Sequence, residues 1–261
     1  MFFKKDEKKL AKNFINNGFV IKKIDEVDLL KNITELIFQN SKQILGKKIN
    51  RPDFFDKTQN YIRPEKLNNF RLSLYRNINK DKFFRESYYN LSKQYLDILV
   101  GNELVMQNRV NLSIQLPNDS SSLLPLHSDT WSGDSPFEIV VWLPLVDCYK
   151  TKSMFILNPQ KSKIFYKNFK KDKSKNSNQI YNKIKKDLTW IDIKYGEVLL
   201  FNQSLPHGNV INKEIDTRWS MNCRFKSLFS PYGDKKIGEF FEPITLRPAT
   251  IIGLNYKDPL S

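Results

Sequence analysis

The sequence holds two histidines in 261 residues, and both stand where chemistry is possible. His127 lies two positions before Asp129 in the run Leu124-Pro125-Leu126-His127-Ser128-Asp129. In extended backbone, residues two apart point to the same side, so both side chains can meet one metal ion. His207 follows a strand-like run, Glu197-Val198-Leu199-Leu200-Phe201, and a turn, Gln203-Ser204-Leu205-Pro206, from which it can supply a third ligand off a neighbouring strand. Two imidazoles and one carboxylate on one face of an octahedron leave three positions open, the arrangement used for non-haem Fe(II). A chelating oxoacid can fill two of these and dioxygen the third. The same ligands suit a hydrolytic zinc, although no helical His-Glu-x-x-His occurs and two histidines cannot make a three-histidine site. A His-x-Asp tripeptide arises by chance in many chains of this length, so the assignment rests on its company.

That company begins eleven residues past His207, at Arg218-Trp219-Ser220-Met221-Asn222-Cys223-Arg224-Phe225. Read as a strand, it puts Arg218, Ser220, Asn222 and Arg224 on one face and Trp219, Met221, Cys223 and Phe225 on the other. A polar stripe backed by an apolar one fits a strand lining a wet cavity. Asn111, Ser113 and Gln115, alternating with Val110, Leu112, Ile114 and Leu116, repeat the pattern before the first histidine. The Arg218 guanidinium can hold a distal carboxylate through two parallel hydrogen bonds, which an ammonium cannot match. Ser220 can add a third, and Asn111 and Gln115 extend the cofactor-binding stripe. A carboxylate fixed one small diacid away from the metal selects 2-oxoglutarate over pyruvate. Trp131, just past the metal motif, is a candidate to stack on a sugar face, and Arg224 to meet an anionic substrate group.

These residues need a scaffold, and the chain divides near Gly101. Residues 1–101 read as mainly helical: a helix over 6–17, a strand over 18–21, a helix capped by Asp25 and burying Val27, Leu30, Ile33 and Ile37, and another over 81–99. Gly46 and Gly101 serve as terminators. Residues 51–63, polar and aromatic with Pro52 and Pro64 nearby, read as a loop. From 102 to 230 come short β-rich runs at 105–116, 137–146, 154–157, 188–193, 197–201 and 218–228, separated by turn clusters. Residues 231–261 form a C-terminal extension. The expected class is α+β, with a double-stranded β-helix (a cupin-like jelly roll) carried by N-terminal helices in one domain over 1–261. The lysine-rich stretch 170–178 reads as a mobile insertion.

Composition bounds the function. The 40% apolar and 27% charged content is ordinary for a soluble protein, and no apolar run reaches the roughly 20 residues of a membrane span. The opening Met1–Glu7 turns charged at once, unlike a secretory signal. Cys148 and Cys223 alone are too few for a disulfide framework, which points to a cytoplasmic protein. The net charge of +15 invites a nucleic-acid partner. The basic residues are scattered, however, apart from a dense stretch over 161–186, so a nucleic-acid-modifying or alkylation-repair enzyme is kept as the second reading. A non-catalytic β-helix binding protein is the third, and it has no need of the triad together with Arg218.

His127-x-Asp129, His207 and Arg218-x-Ser220 together resemble the signature of the Fe(II)- and 2-oxoglutarate-dependent dioxygenases. The strand Gly196–Phe201 and the opening helix into Gly18-Phe19-Val20-Ile21 are similar to the phytanoyl-CoA hydroxylase-like branch. Residues 131–136 and 229–234 look like oxygenases of bacterial surface-carbohydrate gene clusters. The resemblance implies Fe(II) on the triad, 2-oxoglutarate and dioxygen as cosubstrates, and hydroxylation with release of succinate and CO2. Because Asp129 is present, a halogenase is disfavoured. The inward polar stripes favour a small, polar, anionic substrate, carbohydrate- or nucleotide-linked, since an acyl chain would leave each donor unpaired at about 1–3 kcal/mol.

Overall fold

Apolar residues recur at helical spacing in the first hundred residues and at every second position thereafter, and the backbone follows that change of period. The computed structural model describes residues 3–46, 48–169 and 176–259. Its N-terminal part contains α1 (Lys5–Asn17), β1 (Phe19–Lys23), α2 (Val27–Leu45), α3 (Arg51–Phe54), α4 (Pro64–Ile78), α5 (Phe84–Asn90) and α6 (Lys93–Leu99). The remainder contains β2 (Leu104–Gln107), β3 (Asn111–Gln115), β4 (Ile139–Pro144), β5 (Phe155–Leu157), α7 (Pro159–Phe169), α8 (Ser177–Ile184), β6 (Leu188–Trp190), β7 (Glu197–Asn202), β8 (His207–Gly208), β9 (Arg218–Ser227), β10 (Phe241–Pro243) and α9 (Pro248–Asn255).

Two antiparallel sheets face each other. The larger runs β1-β7-β4-β9-β2-β10, with β3 also paired to β9, and the smaller runs β6-β5-β8. This is the α+β double-stranded β-helix expected from the sequence, with the helical layer packed on the outside of the larger sheet. Strand β9 is its longest member and pairs with β4 on one side and with β3 and then β2 on the other. Its outward residues Trp219, Met221, Cys223 and Phe225 are wholly buried under the helices. Each fully buried large side chain of this kind contributes about 1.5–3 kcal/mol.

Several expected boundaries move, each for a visible reason. The run 105–116 is two strands. Asn111 stands five positions after Met106, while their partners Asn222 and Phe225 are three positions apart, so the ladder is interrupted. The Asn79 side chain closes the gap, accepting from the Val110 N–H at 2.8 Å and donating to its carbonyl at 3.0 Å. Asn79 follows α4, a helix the sequence reading passed over although Leu67, Phe70, Leu74 and Ile78 bury one face of it. Residues 51–63 are not a loop. Phe54 and Phe55 pack on Trp219 at centroid distances of 5.7 and 5.2 Å, and the turn Thr58–Asn60 presents a hydroxyl to its indole.

The helix expected over 81–99 is two, divided at Leu91 and Ser92, where Ser92 leaves helical geometry at φ −131°. Asp25 does not cap α2. Its carbonyl accepts from Val27 and its carboxylate from Gln94, while Val27 is half exposed. Of the stretch 170–178, residues 170–175 lie outside the described residues, and Ser177 and Asn178 begin α8, capped by the Asn176 side chain. Among the described residues no helix is long and apolar enough to cross a membrane.

The Trp219 indole donates to Thr58 Oγ at 2.8 Å, and Thr58 in turn donates to Phe54 O, all in the buried layer. Thr58→Val keeps the shape but strands that indole N–H. Urea unfolding is expected to show a loss of about 1–3 kcal/mol, whereas a change under 0.5 kcal/mol, about the surface-substitution range, would contradict this account of the layer.

Candidate metal centre and oxoacid cavity

His127 and His207 are cross-strand partners. Each backbone N–H donates to the other's carbonyl, at 2.9 and 2.8 Å, and their ring centroids lie 4.3 Å apart. The strand bearing His207 is pressed against the approach to His127. A Cβ on Gly208 would stand 2.8 Å from the Leu124 carbonyl oxygen, so only glycine fits without displacing backbone. Each ring is fixed by its own chain: Nδ1 of His127 meets Pro125 O and Nδ1 of His207 meets Leu205 O, both at 2.8 Å. A carbonyl only accepts, so each Nδ1 carries the proton and each Nε2 keeps its lone pair free for a metal.

Ser128 is extended, at φ −128° and ψ 135°, as the His-x-Asp spacing requires. Asp129 then opens a short 3-10 turn to Ser132 and is anchored by its N–H on Gln203 O. Its Oδ1 lies 3.3 Å from His127 Nε2 and 4.0 Å from His207 Nε2. The three residues offer ligand atoms all within 4.8 Å of one another. Burial pushes His207 down to about 4, reinforced by the neighbouring His127, so its imidazole is neutral at physiological pH. Burial pulls Asp129 upward, but its imidazole neighbours and the Arg224 guanidinium at 2.9 Å outweigh it and hold the carboxyl well below the usual range. A neutral nitrogen donor and an ionised oxygen donor are the states a divalent metal needs.

Between the sheets lies a cavity of about 170 Å³, several times the roughly 30 Å³ share of one water. The triad forms one wall. Facing it are Asn111 and Ser113 of β3 and Arg218, Ser220, Asn222 and Arg224 of β9, so the alternation read from the sequence holds at each of these positions. Val140, Trp142, Phe201 and Met154 supply the apolar sides.

Arg218 is 3% exposed, and its hydrogen bonds go to neutral groups, Ser153 O and Ser113 Oγ, both at 3.2 Å. Its Nε and the Ser220 hydroxyl are buried and have no hydrogen-bond partner among the described residues. Burial lowers the guanidinium to about 10, which leaves it charged near neutrality. A buried cation with spare donors beside an unpartnered hydroxyl is costly unless an anion joins it. The residues present therefore fit an oxoacid whose far carboxylate lies at Arg218.

Other expected site residues stand elsewhere. Gln115 does not line the cavity. It is wholly buried, donates to Val210 O at 2.7 Å and sits across the ladder from Arg218. Asn111 does line it, with its amide committed to Asn222 at 3.0 Å. Trp131 leans outward on α7, with its ring 5.2 Å from Phe169. Arg224 is held from three sides: it pairs with Asp129 Oδ2 at 2.9 Å and donates to Gln203 at 2.9 Å and Gln107 at 3.3 Å.

Three residues to which the sequence gives no site role complete this network. Gln203 donates to the buried Glu138 at 2.6 Å, and Asp134 lies 3.5 Å from Arg224 and 2.7 Å from Lys235. Glu138 carried a signal, a lone carboxylate heading the otherwise apolar run Ile139–Leu145. Asn209, whose side chain accepts from the Leu124 N–H at 2.8 Å and which lines the cavity, followed His207 closely enough to be found.

No protein-family model matches the sequence, and no curated protein matches it. Solved structures do. Iron-bound EctD from S. alaskensis superposes with a TM-score of 0.55 at 12% identity, over 88% of this chain and 82% of that one. SnoK, a non-haem α-ketoglutarate-dependent carbocyclase from nogalamycin biosynthesis, gives 0.52 at 12% identity, over 94% and 97%. The nickel complex of the non-haem monooxygenase ThoJ gives 0.52 at 12%, over 92% and 85%. At such identity the likeness is one of fold. The chain has the fold of these non-haem enzymes, with a His-Asp-His cluster and the buried Arg218 lining one cavity inside it.

Proposed function

We propose that the protein is a non-haem Fe(II)- and 2-oxoglutarate-dependent oxygenase that hydroxylates a small, polar, carbohydrate- or nucleotide-linked metabolite, with release of succinate and CO2. The observation that carries this reading is the pairing of two features in one cavity: a three-ligand metal cluster and, opposite it, a buried guanidinium with no anionic partner. His127, Asp129 and His207 would hold the iron, which when loaded with the oxoacid supplies oxidation of a substrate C–H bond by dioxygen.

The protein's own work is placement and exclusion. Arg218 binds the distal carboxylate of 2-oxoglutarate through its fork, Ser220 adds a hydroxyl donor, and Ser113 keeps the guanidinium in plane. Val140, Trp142 and Phe201 keep bulk water from the reacting centre. Asn111, Asn209 and Asn222 give the cavity a neutral polar surface suited to a hydroxylated substrate. Arg224 already holds Asp129 and two glutamines, so a phosphate of the substrate would be met by its remaining donors or by the basic stretch 161–186.

Anaerobic addition of Fe(II) and 2-oxoglutarate is expected to give a weak visible charge-transfer band. His207→Ala should abolish it, and a band of full intensity in that variant would refute the ligand set. Arg218→Lys keeps the charge and loses the fork. Its affinity for 2-oxoglutarate should fall by more than about tenfold, or 1.4 kcal/mol, while metal binding survives; unchanged affinity would remove Arg218 from this role. For the substrate class, succinate release can be compared across nucleotide-sugar and acyl-CoA panels. Turnover confined to the acyl panel would contradict the polar assignment.

A further inference from the structure

Arg224 sits where a substrate-binding cation was expected, yet its surroundings describe a different task. The two oxygens of Asp129 are treated unequally. Oδ1 faces the two histidine Nε2 atoms, and Oδ2 is paired with Arg224 Nη2 at 2.9 Å. Arg224 is itself clamped: its Nε donates to Gln203 Oε1 and its Nη1 to Gln107 Oε1. Gln203 is held in turn by Glu138 Oε2 at 2.6 Å, and the other Glu138 oxygen accepts from the Ser135 N–H at 3.0 Å. Gln203, Glu138 and the Arg224 stem are buried or nearly so, and the backbone carbonyl of Gln203 also accepts from the Asp129 N–H. One residue thus fixes both the ligand's backbone and the cation on the ligand's second oxygen.

We propose that Arg224 is a positioning residue that keeps Asp129 a one-oxygen ligand. This inference rests on the metal reading above. A free carboxylate can take a divalent ion through one oxygen or through both. Taking both fills a position that a chelating oxoacid and a third ligand need. With Oδ2 engaged by a rigid guanidinium held from two further sides, only Oδ1 is offered. An ammonium at the same place keeps the charge but cannot span Asp129, Gln203 and Gln107 together. The arrangement has an electrostatic cost, because a cation beside the ligand weakens attraction for the metal. Loss of Arg224 should therefore not loosen the ion, and this sign separates the role from mere structural support.

The test uses Mn(II) alone as the probe, with the water molecules on the bound ion counted by electron–nuclear spectroscopy in isotopically labelled water. Arg224→Gln and Arg224→Lys are measured beside the unsubstituted protein, with thermal unfolding as the check of folding; if the glutamine variant does not fold, the lysine variant decides. Each folded variant is expected to carry one bound water fewer, and Arg224→Gln to bind Mn(II) about threefold more tightly or better, since a nearby cation has gone. An unchanged water count in a folded variant, or Mn(II) binding more than about tenfold weaker, would overturn the role. Failure of the unsubstituted protein to bind Mn(II) would overturn the metal reading itself, and this inference with it.

Discussion

The pleat of strand β9 constrains nearly everything else in the molecule. Its odd-numbered positions carry Trp219, Met221, Cys223 and Phe225 into the layer under the helices, while its even positions turn Arg218, Ser220, Asn222 and Arg224 into the cavity. A slip of one residue would put two guanidinium groups into the apolar layer and an indole into the metal cavity. The register is held by pairing on both sides, with β4 along one edge and β3 and β2 along the other. It is held again from outside by Thr58 on the Trp219 indole and by the aromatic cluster of Phe54, Phe55 and Phe70. Helices far from the cavity thus act on its chemistry through the fit of one strand.

Within the cavity the two arginines are used in opposite ways. Arg224 is paired within the protein, with its charge set against Asp129 and Asp134 and two further donors on glutamines. Arg218 is left with a buried, unpartnered Nε beside an unpartnered Ser220 hydroxyl. A folded protein keeps such a group only where something else completes it or where the strain has a use. In the proposed reading, the unsatisfied end would receive an acidic ligand and the paired end would hold the metal-binding carboxylate.

What could be read from the sequence followed from short-range geometry. The His-x-Asp pair and the alternation along β9 and β3 depend on backbone period alone, and Arg218, Ser220, Asn222 and Asn111 stand on the cavity wall as that period dictates. Gln115 obeyed the same period but lies beyond the cavity's end, since alternation fixes a side and not a depth. Arg224 stands on the face that period dictates, but its contacts with Asp129 and Gln203 are not legible in the sequence, because they form only through tertiary pairing. Helix α4 had its signal in Leu67, Phe70, Leu74 and Ile78, with Pro64 at its first turn, and was overlooked. The stretch 51–63 misled because Pro52 and its polar residues suggested a loop, whereas burial of Phe54 and Phe55 against Trp219 made it a packed cap.

In the proposed reading, the metal triad and Arg218 together gauge one small oxo-diacid. Calorimetric titration of the Mn(II)-loaded protein with 2-oxoglutarate, pyruvate and glutarate tests it directly. Pyruvate lacks the distal carboxylate that Arg218 would hold, and glutarate lacks the oxo group that completes the chelate. 2-Oxoglutarate is expected to bind more than about tenfold tighter than either, a difference of 1.4 kcal/mol or more. Equal affinity for all three, or a preference for pyruvate, would contradict it.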